Sequence, residues 1–211
     1  MANQKKRIII ICLLILVVVC VYFLKDIVIV FPISNNPEKI GILDGRLSIL
    51  PDNVIISENT YTKESNLTHG DEMVKFASKL SGGMEVYYYD ITNENNEITD
   101  DNIINGLNWM VNNNIKKVNI SLSSKIYSLE VQEWIKENKD KITIFCSYNN
   151  RLNSSDYPAM YENVIASGFN GQISYKSIDK KYGGNKILLL SDFSYYEGTS
   201  YLSLITLVRY N

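Results

Sequence analysis

Hydrophobic and polar positions follow two rhythms in this chain, after an opening stretch with none. From Ile8 to Leu24 the run is unbroken and apolar, with Lys5, Lys6 and Arg7 before it and Lys25 after it. Such a run lies at the short end of what crosses a bilayer. Pro32 to Glu38 then reads as a linker, with two prolines and two asparagines. Short apolar runs are predicted as buried strands at Lys39–Leu43, Met84–Tyr89, Lys117–Leu122 and Ile142–Cys146. Three- and four-residue spacing of Met73, Val74, Phe76, Ala77 and Leu80 predicts a helix that opens at Leu67-Thr68-His69-Gly70 and stops at Gly82-Gly83. The same spacing predicts helices over Asp100–Asn114 and Leu129–Asn138. Beyond Tyr148 comes a polar loop, then short strand candidates at Asn163–Ala166, Gln172–Tyr175 and Lys186–Leu190. Gly198-Thr199-Ser200 finally opens an apolar helix through Val208. Strands alternating with helices imply an α/β fold, with a mainly parallel sheet and helices on both faces.

The basic flank precedes the apolar run, which predicts a cytoplasmic N-terminus and an extracytoplasmic remainder. Bulky Ile, Val and Phe follow Leu24 where a signal peptide would carry small residues, so an uncleaved anchor is expected. The expected organisation is a cytoplasmic flank (1–7), a transmembrane anchor (8–24), a linker (25–38) and one folded domain (39–211). A formal net charge of −2 argues against a nucleic-acid partner. Cys12 and Cys20 lie in the apolar run, which leaves Cys146 alone in the remainder with no disulfide to make. The single histidine, His69, and the absence of a Cys/His cluster exclude a predicted zinc site, and no cofactor is expected.

Three positions carry candidate chemistry. Ser200 stands at a helix start, beside backbone N–H groups and the positive end of the helix dipole, which suits a nucleophile that generates an oxyanion. His69 is the one imidazole available as its base. Asp44 ends an apolar strand, where open α/β sheets place ligand sites. Each also has a plain structural reading: helix cap, surface histidine and turn residue.

The words around them resemble the motifs of subtilisin-like serine proteases. Ile40-Gly41-Ile42-Leu43-Asp44-Gly45 resembles the aspartate motif, Thr68-His69-Gly70 the histidine motif and Gly198-Thr199-Ser200 the nucleophile motif. Ile103–Trp109 followed by Val118-Asn119-Ile120-Ser121-Leu122 is similar to the family's central helix and substrate-binding strand. Tyr157–Tyr161 followed by Val164-Ile165-Ala166 is similar to the segment after its oxyanion asparagine. The resemblance runs from about residue 39 to 211 and implies a three-layer fold with a catalytic Asp44, His69 and Ser200. It implies an oxyanion donor in Ser147-Tyr148-Asn149-Asn150: Asn149 aligns best, and Asn150 stays open. It implies substrate contacts at Ser121, Leu122, Ser123 and Tyr148. The family places glycines where Ser123, Ser124 and Tyr148 stand, so a pocket restricted to Gly, Ala or Ser is expected unless Tyr148 points to solvent.

The departures carry expectations too. The short segment before Met84 implies that the calcium loop of many relatives is missing, and residues 25–38 are too few for a folded prodomain. Leu204 replaces the family's usual proline four positions after the nucleophile. With the chain ending at Asn211, apolar Leu202, Leu204, Ile205, Leu207 and Val208 are expected to need cover from a second copy, a partner or the membrane. The function implied is a membrane-anchored extracytoplasmic serine endopeptidase processing a secreted peptide. The alternative is a pseudoprotease of the same fold, acting as a tethered peptide-binding or regulatory protein.

Overall fold

The computed structural model describes residues 2–33, 39–57, 66–81, 84–151, 156–172 and 178–210. The elements run α1 (Ala2–Leu24), β1 (Ile27–Val30), β2 (Lys39–Asp44), β3 (Val54–Ile56), α2 (His69–Leu80), β4 (Glu85–Asp90), α3 (Asp100–Asn112) and β5 (Lys117–Ile120). Then come α4 (Leu129–Asn138), β6 (Thr143–Ser147), β7 (Val164–Phe169), β8 (Lys180–Tyr182), β9 (Lys186–Leu189), β10 (Ser194–Glu197) and α5 (Thr199–Arg209). The expected strand at Gln172–Tyr175 and the expected stop at Gly82-Gly83 lie largely or wholly outside the described residues.

Seven strands form one parallel sheet in the order β3-β4-β2-β5-β6-β7-β8. Successive side chains of a strand point to opposite faces, and here both faces are covered. Ile40 and Ile42 of β2 join Val86, Tyr88 and Phe145 in a core with α2 and α5. Leu43 joins Val118, Ile120 and Ile144 in a second core with α3 and α4. This is the expected three-layer α/β arrangement.

A second sheet, β1-β9-β10, was not expected. β1 pairs parallel with β9, and β9 pairs antiparallel with β10. Residues 27–30 therefore belong to the folded domain, inside the stretch 25–38 expected as linker. Val30, Ile187 and Leu189 are fully buried against the α5 core. The expectation that α5 needs an outside partner is thereby overturned. Leu202, Leu204, Ile205 and Leu207 are 0% exposed and Val208 is 4% exposed, covered by the parallel sheet, α2 and this small sheet.

In α1 the described side chains, 9–22 and 24, are all exposed. Among the described residues no helix is long and apolar enough to cross a membrane.

Candidate active site

Asp44 is the last residue of β2, 3% exposed at the carboxyl edge of the sheet. Its Oδ1 accepts the Gly45 N–H at 2.8 Å, and its Oδ2 lies 2.8 Å from His69 Nδ1. An ionised carboxylate can only accept, so Nδ1 carries the proton and neutral His69 keeps a lone pair on Nε2. Burial disfavours the imidazolium. The hydrogen bond to Asp44 and the charges of Asp44 and Glu72 outweigh it, and the His69 pKa is raised above its ordinary 6.5.

The position of His69 follows from local chemistry. It opens α2 directly after Thr68, which with Asp71 forms a capping box. Thr68 Oγ1 accepts the Asp71 N–H at 3.1 Å, and Asp71 Oδ2 accepts the Thr68 N–H at 2.8 Å. Asp71 also takes the Ser48 and Ile49 N–H groups at 2.9 and 3.0 Å and the Ser48 hydroxyl at 2.5 Å. Next to His69, Gly70 leaves room for the buried Tyr88, whose hydroxyl donates to the Gly45 carbonyl at 2.5 Å. A Cβ at position 70 would lie 1.9 Å from that hydroxyl oxygen, so the close approach requires glycine. Tyr88 thus ties the Asp44–Gly45 turn to the start of α2.

Ser200 is half-buried in the first turn of α5. Hydrogen bonds of Gly198, Thr199, Ser203 and Tyr201 hold that turn. Gly198 takes φ 134°, and its N–H donates to the Asn185 carbonyl at 2.8 Å. Thr199 donates its hydroxyl to the Tyr148 carbonyl and its N–H to Asn150 Oδ1 at 2.9 Å. Beneath it, the Ser203 hydroxyl lies 2.8 Å from the Ser200 carbonyl oxygen and 2.6 Å from Asn119 Oδ1. Ser121 Oγ joins this buried network at 3.2 Å from Ser203 Oγ. One residue on, Tyr201 donates its hydroxyl to Glu72 Oε2 at 3.0 Å, and its ring packs on Phe76 at 4.9 Å. The first turns of α2 and α5 are therefore fastened together, with His69 and Ser200 on them. Among the described residues no hydrogen bond joins Ser200 to His69; such contacts are often long before substrate arrives.

The remaining candidates divide. Leu122 and Ser123 line a cavity of about 190 Å³ with Ile98, Ile103 and Tyr157. Ser121, expected as a substrate contact, has its side chain buried under Ser200, where Asn119 and Ser203 offer it partners. Tyr148 does not point to solvent. It is 1% exposed in the core with Ala159 and Tyr161, its hydroxyl 3.5 Å from Met160 Sδ. Asn149 Oδ1 accepts the Arg151 N–H at 2.7 Å, whereas Asn150 reaches Thr199. Sequence reasoning missed Asp71, Tyr88 and Ser203. Only the Thr-x-x-Asp spacing at 68–71 signalled one of them in advance. Among the described residues no group of three or more His, Cys, Asp or Glu side chains is placed to hold a metal ion.

Comparison with known proteins places this geometry. Residues 55–196 match the subtilase family, peptidase S8, a span that contains His69 but neither Asp44 nor Ser200. Subtilisin BL and subtilisin Savinase of Lederbergia lenta are each 24% identical, over 82% of this chain and 71% of theirs. M-protease of Shouchella clausii strain KSM-K16 is 24% identical, and the chain spans half of its length. Among solved structures, a cold adapted subtilisin-like serine proteinase superposes with a TM-score of 0.61 at 12% identity, over 82% of this chain and 74% of that one. The prenylagaramide maturation protease PagA gives 0.56 at 13% identity, over 82% and 73%. Apa1 of Pseudoalteromonas sp. AS-11 gives 0.54 at 14% identity, and the chain spans 39% of it. At these identities the superpositions speak for the fold, and the family match over two thirds of the chain speaks for descent: the chain belongs to the subtilase family of subtilisin-like serine endopeptidases.

Proposed function

We propose that the protein cleaves peptide bonds outside the cytoplasm through an acyl-enzyme on Ser200. The observation that carries this reading is the Asp44–His69 hydrogen bond, with Ser200 on the helix fastened to α2. His69 Nε2 takes the Ser200 hydroxyl proton as Oγ attacks the scissile carbonyl. That proton then goes to the departing amine, and water, deprotonated by the same nitrogen, releases the acyl group. The Ser200 N–H has no intrahelical partner in the first turn and supplies one oxyanion donor. The Asn149 side chain is the proposed second donor; the Arg151 N–H holds its oxygen at 2.7 Å and so fixes the orientation of the amide.

The expected restriction to small residues before the scissile bond is part of this reading, on the ground that Tyr148 is turned away from solvent at 1% exposure. Peptide processing is the corresponding role; PagA, a maturation protease, shares the fold. We propose α1 as the anchor. Its described side chains are exposed, and basic residues precede its apolar run.

A fluorophosphonate probe and a peptide library test the chemistry. Wild type is expected to label at Ser200 and to cleave best after Gly, Ala or Ser, and Ser200→Ala to do neither. Peptidase activity that survives Ser200→Ala overturns the mechanism. Absence of labelling in wild type favours the pseudoprotease. Protease added outside intact cells is expected to digest the domain and spare the basic flank; protection until lysis overturns the orientation.

A further inference from the structure

We propose that Asn150 is a positioning residue, which caps α5 from the loop after β6 and holds the turn that presents Ser200. This rests on the serine endopeptidase reading above. Helix α5 has no cap of its own: Gly198 occupies the cap position with no side-chain hydrogen bond, at a φ of 134° that disfavours any other residue. An ordinary capping side chain would accept from the second or third N–H of the helix. Here those belong to Ser200 and Tyr201, so a local cap that took the second would occupy the N–H needed for the oxyanion.

Asn150 resolves that conflict. Its Oδ1 takes the first N–H, that of Thr199, at 2.9 Å, with the Thr199 hydroxyl at 3.2 Å. The Ser200 N–H is left for the reaction, and the position of the turn is fixed against the end of β6. Asn150 is exposed, so its replacement leaves the cores untouched.

The experiment measures three things in full-length protein: hydrogen exchange at the Thr199 amide, the rate of fluorophosphonate labelling, and kcat and KM on the alkaline plateau of the pH profile. There an added charge leaves His69 neutral. Asn150→Ala is expected to speed Thr199 exchange and to lower labelling and kcat about tenfold, the scale of losing one cap. KM is expected to hold, while Tm falls by the few degrees that losing one cap entails. Asn150→Asp keeps the acceptor and is expected to restore slow exchange and most of the labelling rate. Unchanged Thr199 exchange in Asn150→Ala overturns the proposal. So does a labelling defect that Asp fails to rescue, since the NH₂ group would then be what matters. If wild type never labels, the endopeptidase reading falls, and the proposal falls with it as a statement about catalysis; the exchange data then report on the cap alone.

Discussion

His69 carries opposite pH dependences for activity and for stability. Its folded pKa lies above 6.5, because the hydrogen bond and charge of Asp44 and the charge of Glu72 overcome burial. A general base must be neutral, so activity is expected to rise with pH through that raised value. The stability linked to the contact runs the other way: it is fully present below the unfolded pKa and fades as pH rises through the folded one. Asp44→Asn is expected to move the acid limb of the labelling profile to lower pH, since burial then acts with less opposition. It should also cut plateau turnover by about 10³–10⁴-fold, through loss of the productive tautomer. A profile whose midpoint does not move would show that Asp44 does not set the pKa. At this scale Asp44, His69 and Ser200 are legible in the sequence because each sits in a short motif at an element end. The orientations of Ser121 and Tyr148 are not, because both depend on partners far along the chain, Ser203 and Met160.

The elements show why periodicity reads some parts and misses others. Leu129–Asn138 is legible to the residue because its apolar spacing, polar flanks and Ser128 cap agree. β1 is hidden because Ile-Val-Ile-Val looks like a continuation of the apolar run, and β8, Lys-Lys-Tyr, carries no apolar pattern. The start of α2 depends on a charge buried to 6% exposure, that of Asp71. Burial raises its pKa, but hydrogen bonds from Ser48, Thr68 and Ile49 outweigh this and lower it. The stability it contributes is therefore present above the unfolded carboxylate range and is lost as pH falls through the folded value. Asp71→Ala is expected to cost about 2–3 kcal/mol in urea titrations near neutral pH, because several backbone and hydroxyl donors lose their acceptor. The difference from wild type should shrink in acid. A urea midpoint unchanged at neutral pH would remove the capping box from the account of how His69 is placed.

For the whole molecule, the decisive boundary falls inside what reads as a linker. A chain beginning at Asp26 keeps β1 and is expected to melt cooperatively near the temperature of the full chain. One beginning at Pro32 loses Val30, exposes Ile187, Leu189 and the outer face of α5, and is expected to melt lower and bind a dye for exposed apolar surface. Removal of a buried residue of this size costs about 1–3 kcal/mol, and β1 takes half-buried Ile27 and Val28 with Val30. Equal melting of the two chains would show that the small sheet adds nothing to the α5 core.

That first strand also imposes an order of assembly. Ile27 pairs with Lys186 and the Leu190 N–H donates to the Val30 carbonyl at 2.9 Å, so β1 is synthesised well before the strand it pairs with. Until then Ile27–Val30 lacks β9, the strand it pairs with among the described residues. Contacts of such sequence separation are slow to form and leave the growing chain open to misassociation. β9, β10 and α5 follow one another in the chain and bring Ser200 with them. On the proposed mechanism, a nascent fragment that already holds Asp44 and His69 but not yet α5 has no nucleophile and no means to cut.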